Sequence, residues 1–221
     1  MVTPAFPTAS CTVQLNGPVG VLELAVDRSE CPPLPAVAIV CHPLPTEGGT
    51  MHNKVVTMTA RALRELGLDT VRFNFRGAGA SAGTFDQGNG ETDDLRAVVA
   101  WVRAQRPDAA LWLAGFSFGA YVALRAAESV QPAFMLSIAP PVERSWDLSA
   151  VTLPTCPWLV IQGEADAVVD PQAVFAWIDA MADPPHVVRM PDTSHFFHRK
   201  LLDLRGAIKH GVRAYLPSAA A

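Results

Sequence analysis

The chain has 221 residues, half of them hydrophobic, with 17 Lys and Arg against 21 Asp and Glu for a net charge of −4. A chain of this size buries a substantial core without disulfides or metals, so a single domain over 1–221 is expected, and a disordered or coiled-coil chain is excluded. The acidic balance offers no Lys/Arg stripe, which argues against nucleic acid and against an anionic membrane surface as partners.

The opening residues, MVTPAFPTASC, hold neither a basic nor an apolar segment of the kind a secretory leader carries, and nowhere do about 18 apolar residues run together. A soluble, cytoplasmic protein is expected. Cys11, Cys31, Cys41 and Cys156 form no CxxC pair and read as small buried hydrophobes in a reducing compartment.

In chain order, residues 10–28 alternate with period two about a Gly/Pro turn and predict an antiparallel hairpin at the edge of a sheet. From Ala36, short apolar runs alternate with segments of helical period, the pattern of a mostly parallel sheet covered on both faces. The runs are AVAIVCHP from Ala36, TVRFNF from Thr70, ALWLAGF from Ala110, AFMLSIA from Ala133, PWLVIQG from Pro157 and HVVRM from His186. Asn53 is placed to cap a first helix, carrying Val56, Ala60, Leu63 and Leu66 on one face and stopped by Gly67. A second begins near Glu91, with Asp93 and Asp94 in its first turn and Arg103 and Arg106 near its end, as the macrodipole favours. Further helices are predicted over Ala120 to Val130, Pro171 to Met181 and Arg199 to Tyr215, with a frayed tail over 218–221.

Gly115-Phe116-Ser117-Phe118-Gly119 matches GxSxG, the strand-to-helix elbow that holds a serine above a sheet. With 15 glycines and ten serines in the chain, chance supplies about 0.05 such motifs, so context must decide. The chain contains a control: Gly79-Ala80-Ser81-Ala82-Gly83 also fits the pattern. Ser117 follows an apolar strand and precedes the helix former AYVALRAAE, whereas Ser81 lies in a Gly/Ala loop with no helix at hand. Ser117 is therefore the expected nucleophile, with glycines on either side because a Cβ there would strike the neighbouring strand and helix.

A serine hydroxyl needs a base. His195, just past the last predicted strand, is favoured over His198 one helical turn on. The base in turn needs a carboxylate to fix its tautomer. Of Glu164, Asp166 and Asp170, the second lies just past a buried strand and a Gly turn, while Asp170 is better placed to cap the helix opened by Pro171. An oxyanion hole needs backbone N–H groups, one expected from Phe118 and one from the loop His42-Pro43-Leu44-Pro45. Its prolines have no N–H, which leaves His42 and Leu44, and Leu44 is preferred. His42 reads mainly as a residue that holds this loop, and together with Phe116 and Phe196 it is a candidate substrate contact.

With these residues assembled, the chain from Ala36 to Leu216 resembles the small lidless bacterial serine hydrolases of the α/β-hydrolase superfamily, distantly akin to dienelactone hydrolases and prolyl-oligopeptidase catalytic domains. The marks are His42-Pro43-Leu44-Pro45 with Gly48-Gly49-Thr50-Met51, Arg72-Phe73-Asn74-Phe75-Arg76-Gly77 with Gly79 and Ser81, the elbow, Gly163 with Asp166, and His195. Pro43-Leu44-Pro45 departs from the glycines or second histidine of many members. Pro140 to Pro157 is too short for a helical cap, which implies an open site for small or protruding acyl esters. The resemblance implies a serine esterase without metal or cofactor, a small-molecule ester as partner, and a monomer or homodimer. A thioesterase or peptidase uses the same triad, and a non-catalytic binding module on this fold is the alternative from another class.

Overall fold

A computed structural model describes residues 3–218. Apart from Ser218, the tail expected to fray lies outside the described residues. Strands β1 (Cys11–Gly17) and β2 (Gly20–Asp27) form the antiparallel hairpin, with Val13, Leu15, Leu22 and Leu24 turned inward. The parallel strands are β3 (Ala36–Cys41), β4 (Asp69–Phe73), β5 (Ala110–Phe116), β6 (Phe134–Ile138), β7 (Trp158–Gly163) and β8 (His186–Met190). Their order is β1-β2-β4-β3-β5-β6-β7-β8, with β2 antiparallel to β4, so the hairpin occupies one edge as expected.

Two cores follow from the pleat. Ala38, Val40, Trp112, Ala114, Leu136 and Ile161 face helices α1 (Lys54–Arg64) and α5 (Leu201–Val212). Val37, Ile39, Leu111, Leu113, Met135 and Val160 face α2 (Asn89–Gln105), α3 (Phe118–Val130) and α4 (Pro171–Asp179). The central strands are buried along their whole length because both faces are covered. Each fully buried Val, Leu or Ile there contributes roughly 1.5–3 kcal/mol of transfer free energy. The capping residues act as the sequence suggests: Asn53 accepts the Val55 N–H, and Asp170 accepts the Gln172 N–H ahead of Pro171.

Boundaries differ by a few residues, for local reasons. β3 stops at Cys41 because the loop turns at His42 and Pro43 has no N–H to continue a ladder. α3 starts at Phe118, with Ser117 as its N-cap. α5 starts at Leu201 rather than Arg199, since Phe197 and Arg199 have φ of 52° and 59°, outside any right-handed helix. The cysteines also need correction. Cys41 is buried and Cys156 half-buried, but Cys11 and Cys31 are exposed, on the open edge strand and in the loop after β2.

Residues 140–157 form neither helix nor strand, so among the described residues no helical cap covers the carboxyl ends of the parallel strands. Among the described residues no helix is long and apolar enough to cross a membrane.

Candidate active site

At the carboxyl end of β5 the chain reverses into α3 through Ser117, at φ 53° and ψ −121°. The turn is pinned by the Ser117 N–H donating to the Ile138 carbonyl (2.8 Å) and by the Ser117 carbonyl accepting from Ala120 (2.8 Å). The flanking glycines are sterically required. A Cβ on Gly115 would overlap the Gly119 carbonyl, and one on Gly119 would overlap the carbonyls of Cys41 and His42. The elbow is thus wedged against the loop that leaves β3.

His195 sits in the loop after β8, and Asp166 in the loop after β7. The two loops are laced together: Glu164 N–H donates to the Met190 carbonyl (2.9 Å) and Ala165 N–H to the Thr193 carbonyl (3.1 Å). Gly163 allows this approach, because a Cβ there would overlap the Thr193 carbonyl. Asp166 Oδ2 accepts from His195 Nδ1 at 2.8 Å, which leaves Nε2 of the neutral ring free to accept from Ser117 Oγ at 3.1 Å. Asp166 Oδ1 accepts the N–H groups of Val168 and Val169, both at 2.8 Å. Oδ2 takes a second donor, Gln162 Nε2, at 3.1 Å. Burial alone would raise the Asp166 pKa, but the hydrogen bond from His195, the Val168 and Val169 amides and the charge of the ring outweigh it and hold the carboxyl below its usual value.

Structure separates the alternatives. His198 is exposed, and segment 195–198 is a pair of turns rather than a helix, so the two histidines share no face. Glu164 points to solvent and Asp170 is used as a cap. Ser81 is buried and committed elsewhere, donating to the Asn74 carbonyl (2.6 Å) and accepting the Glu23 N–H (3.0 Å).

Ser117 and His195 open into a cleft of about 380 Å³ lined also by Pro43, Leu44, Glu47, Pro141, Arg144, Trp146, Val168, Val169 and Phe196. A larger hollow of about 540 Å³ lies beyond Arg144 and Trp146, but neither Ser117 nor His195 lines it. The N–H groups of Leu44 and Phe118 have no acceptor among the described residues. Phe196, 45% exposed, lines the cleft. Phe116 and His42 do not. Phe116 is buried beneath the His195 ring, centroids 5.0 Å apart, where it supports the imidazole. His42 is fully buried; its Nε2 accepts the Phe75 N–H (3.0 Å), so Nδ1 carries the proton and donates to the Pro43 carbonyl (2.6 Å). Burial pushes the His42 pKa down to about 4 against the pull of that carbonyl. Its work is to tie the β3 exit loop to the end of β4.

The loop after β4 is held in turn by Arg76, whose guanidinium meets the buried Asp94 of α2 at 2.7 and 3.0 Å. Pro141, Arg144 and Trp146 were not foreseen as cleft residues, since 140–157 carries no periodicity from which a facing could be read.

Comparison with known proteins identifies the family and the fold. Residues 36–152 match the family profile Hydrolase_4, described as serine aminopeptidase, S33. XC6422 from Xanthomonas campestris, a member of the α/β serine hydrolases without lid, is 63% identical, with a TM-score of 0.95 over 99% of this chain and 100% of that one. An α/β serine hydrolase homologue from Coxiella burnetii is 43% identical, with a TM-score of 0.89 over 93% and 99% of the two chains. The Rickettsia prowazekii protein RP471 is 31% identical over 205 residues, covering 89% of this chain and 86% of that one. The chain is a lidless α/β serine hydrolase of the S33 (Hydrolase_4) family.

Proposed function

We propose that this hydrolase cleaves carboxylic esters of small or protruding acyl groups through an acyl-enzyme on Ser117. The observation that carries the proposal is the unbroken relay from Asp166 through His195 to a Ser117 held at positive φ in an uncapped cleft. His195 Nε2 takes the hydroxyl proton as Oγ attacks the ester carbonyl, and the ionised Asp166 steadies the imidazolium. The N–H groups of Phe118 and Leu44, both without another acceptor, receive the oxyanion, aided by the positive end of α3. His195 then returns the proton to the departing alcohol, and water repeats the sequence on the acyl-enzyme. No step needs a metal or cofactor.

Several observations support a small substrate: the cleft volume, its apolar wall of Leu44, Trp146 and Phe196, and the uncapped strand ends. Fold neighbours of lower identity include the esterase Est1E from Butyrivibrio proteoclasticus, seen with ferulic acid bound. The S33 description favours a second reading, release of amino-terminal residues by the same triad. A panel of nitrophenyl esters, acyl thioesters and aminoacyl anilides, with Ser117→Ala as blank, separates them. Ester turnover lost in the variant is expected. Turnover confined to anilides would assign the peptidase reading, and ester turnover surviving Ser117→Ala would overturn the mechanism.

A further inference from the structure

Gln162 is the penultimate residue of β7, fully buried, four residues before Asp166. Its Nε2 donates to Asp166 Oδ2 at 3.1 Å and to the Gly163 carbonyl at 3.1 Å, while its Oε1 has no hydrogen-bond partner among the described residues. A buried amide oxygen without a donor is costly, and the reverse rotamer would set that oxygen against the carboxylate. The side chain therefore gives up one of its own hydrogen bonds to keep an N–H on the oxygen that also receives His195.

From this arrangement we infer that Gln162 is a positioning residue for the proton relay. It aims Oδ2 of Asp166 at His195 and withdraws part of the carboxylate's charge from the ring. The inference rests on the triad reading given above. Four donors converge on Asp166, two on each oxygen, so neither oxygen can rotate away without breaking two bonds. The backbone pair, Val168 and Val169, fixes Oδ1 whatever the side chains do. Gln162 is the only side chain besides His195 among the described residues that bonds to Oδ2. Because it shares that oxygen with Nδ1–H, it competes with the imidazolium for the same lone-pair density. Without it the carboxylate is a stronger acceptor toward His195. The imidazolium then holds its proton to higher pH, and Oδ2 has lost one of the two bonds that aim it at Nδ1.

The test is Gln162→Met, which keeps the length of the side chain and removes the donor. With Oδ2 less well aimed, we expect kcat on a nitrophenyl ester to fall on the order of tenfold, with KM little changed because Gln162 does not line the cleft. We also expect the acid limb of the kcat/KM profile to move to higher pH. A purely structural role does not displace that limb. Should the methionine variant not fold, Gln162→Asn retains an amide but withdraws it by one methylene, and the same displacement is expected. A folded variant whose pH profile superimposes on the wild type overturns the inference. Fluorophosphonate labelling of the wild type keeps the two failures apart: without an adduct on Ser117 the triad reading falls, whereas an adduct with an unmoved Gln162→Met profile removes Gln162 alone.

Discussion

Replacing His42 by leucine is expected to make the protein less stable at neutral pH yet less sensitive to acid. The neutral ring is required in the folded state, because Nε2 must accept the Phe75 N–H, and burial pushes the pKa down from 6.5 to about 4. A lowered pKa means that the unfolded chain takes up the proton first as pH falls. The associated stability is present above pH 6.5 and is lost as pH drops through 6.5 toward 4. With those limits the wild type loses about 2 kcal/mol between pH 7 and 5, and about 3 kcal/mol by pH 4, from this group alone. Leucine leaves the buried Phe75 N–H without an acceptor, at a cost of about 2 kcal/mol that does not vary with pH. The two chains should therefore converge in stability near pH 5. Urea unfolding followed by tryptophan fluorescence at pH 7, 6 and 5 measures both curves, and the other titrating groups cancel in the difference. Stability curves that stay parallel across this range would refute the assignment of His42 as a buried, neutral tether.

Other consequences concern the elbow and its supports. At φ 53° and ψ −121°, Ser117 is strained by about 1–3 kcal/mol, of which glycine's greater unfolded-state entropy takes back about 0.4–1 kcal/mol; with about 1 kcal/mol left, Ser117→Gly should melt roughly 2–4 °C above Ser117→Ala by calorimetry, and a glycine variant melting below the alanine one would deny the strain. Asp94→Ala strands the Arg76 guanidinium among buried groups and should cost about 3–5 kcal/mol, read as a fall of roughly 10 °C in Tm. A change within 1–2 °C would mean that the pair does not brace the loop after β4. Gly119→Ala drives a methyl into the Cys41 and His42 carbonyls and should depress both stability and ester turnover, measured by melting and by kcat.

The elbow was readable from the chain because its constraint is steric and local: two glycines, a preceding apolar strand and a following helix former leave one serine that fits. Asp166 and His195 were readable from their places after β7 and β8, since parallel strands deliver their loops to one edge of the sheet. Facing was harder to read. His42 and Phe116 stand beside candidate site residues in sequence, but their rings turn into the core, and no local pattern distinguishes a ring under the cleft from a ring in it. Gln162 escaped for the opposite reason, as a polar residue inside an apolar strand whose partner lies four residues on. The wall formed by Arg144 and Trp146 comes from an irregular loop, placed by packing rather than by periodicity.

The most direct test of the central claim is to treat the folded protein with a fluorophosphonate and map the adduct by mass spectrometry, alongside Ser117→Ala and His195→Ala. The relay predicts one adduct per chain, on Ser117, absent from the first variant and strongly slowed in the second. Labelling of Ser117 that proceeds at the wild-type rate without His195 would contradict the base assignment, and a folded wild type that takes no label would contradict the enzyme.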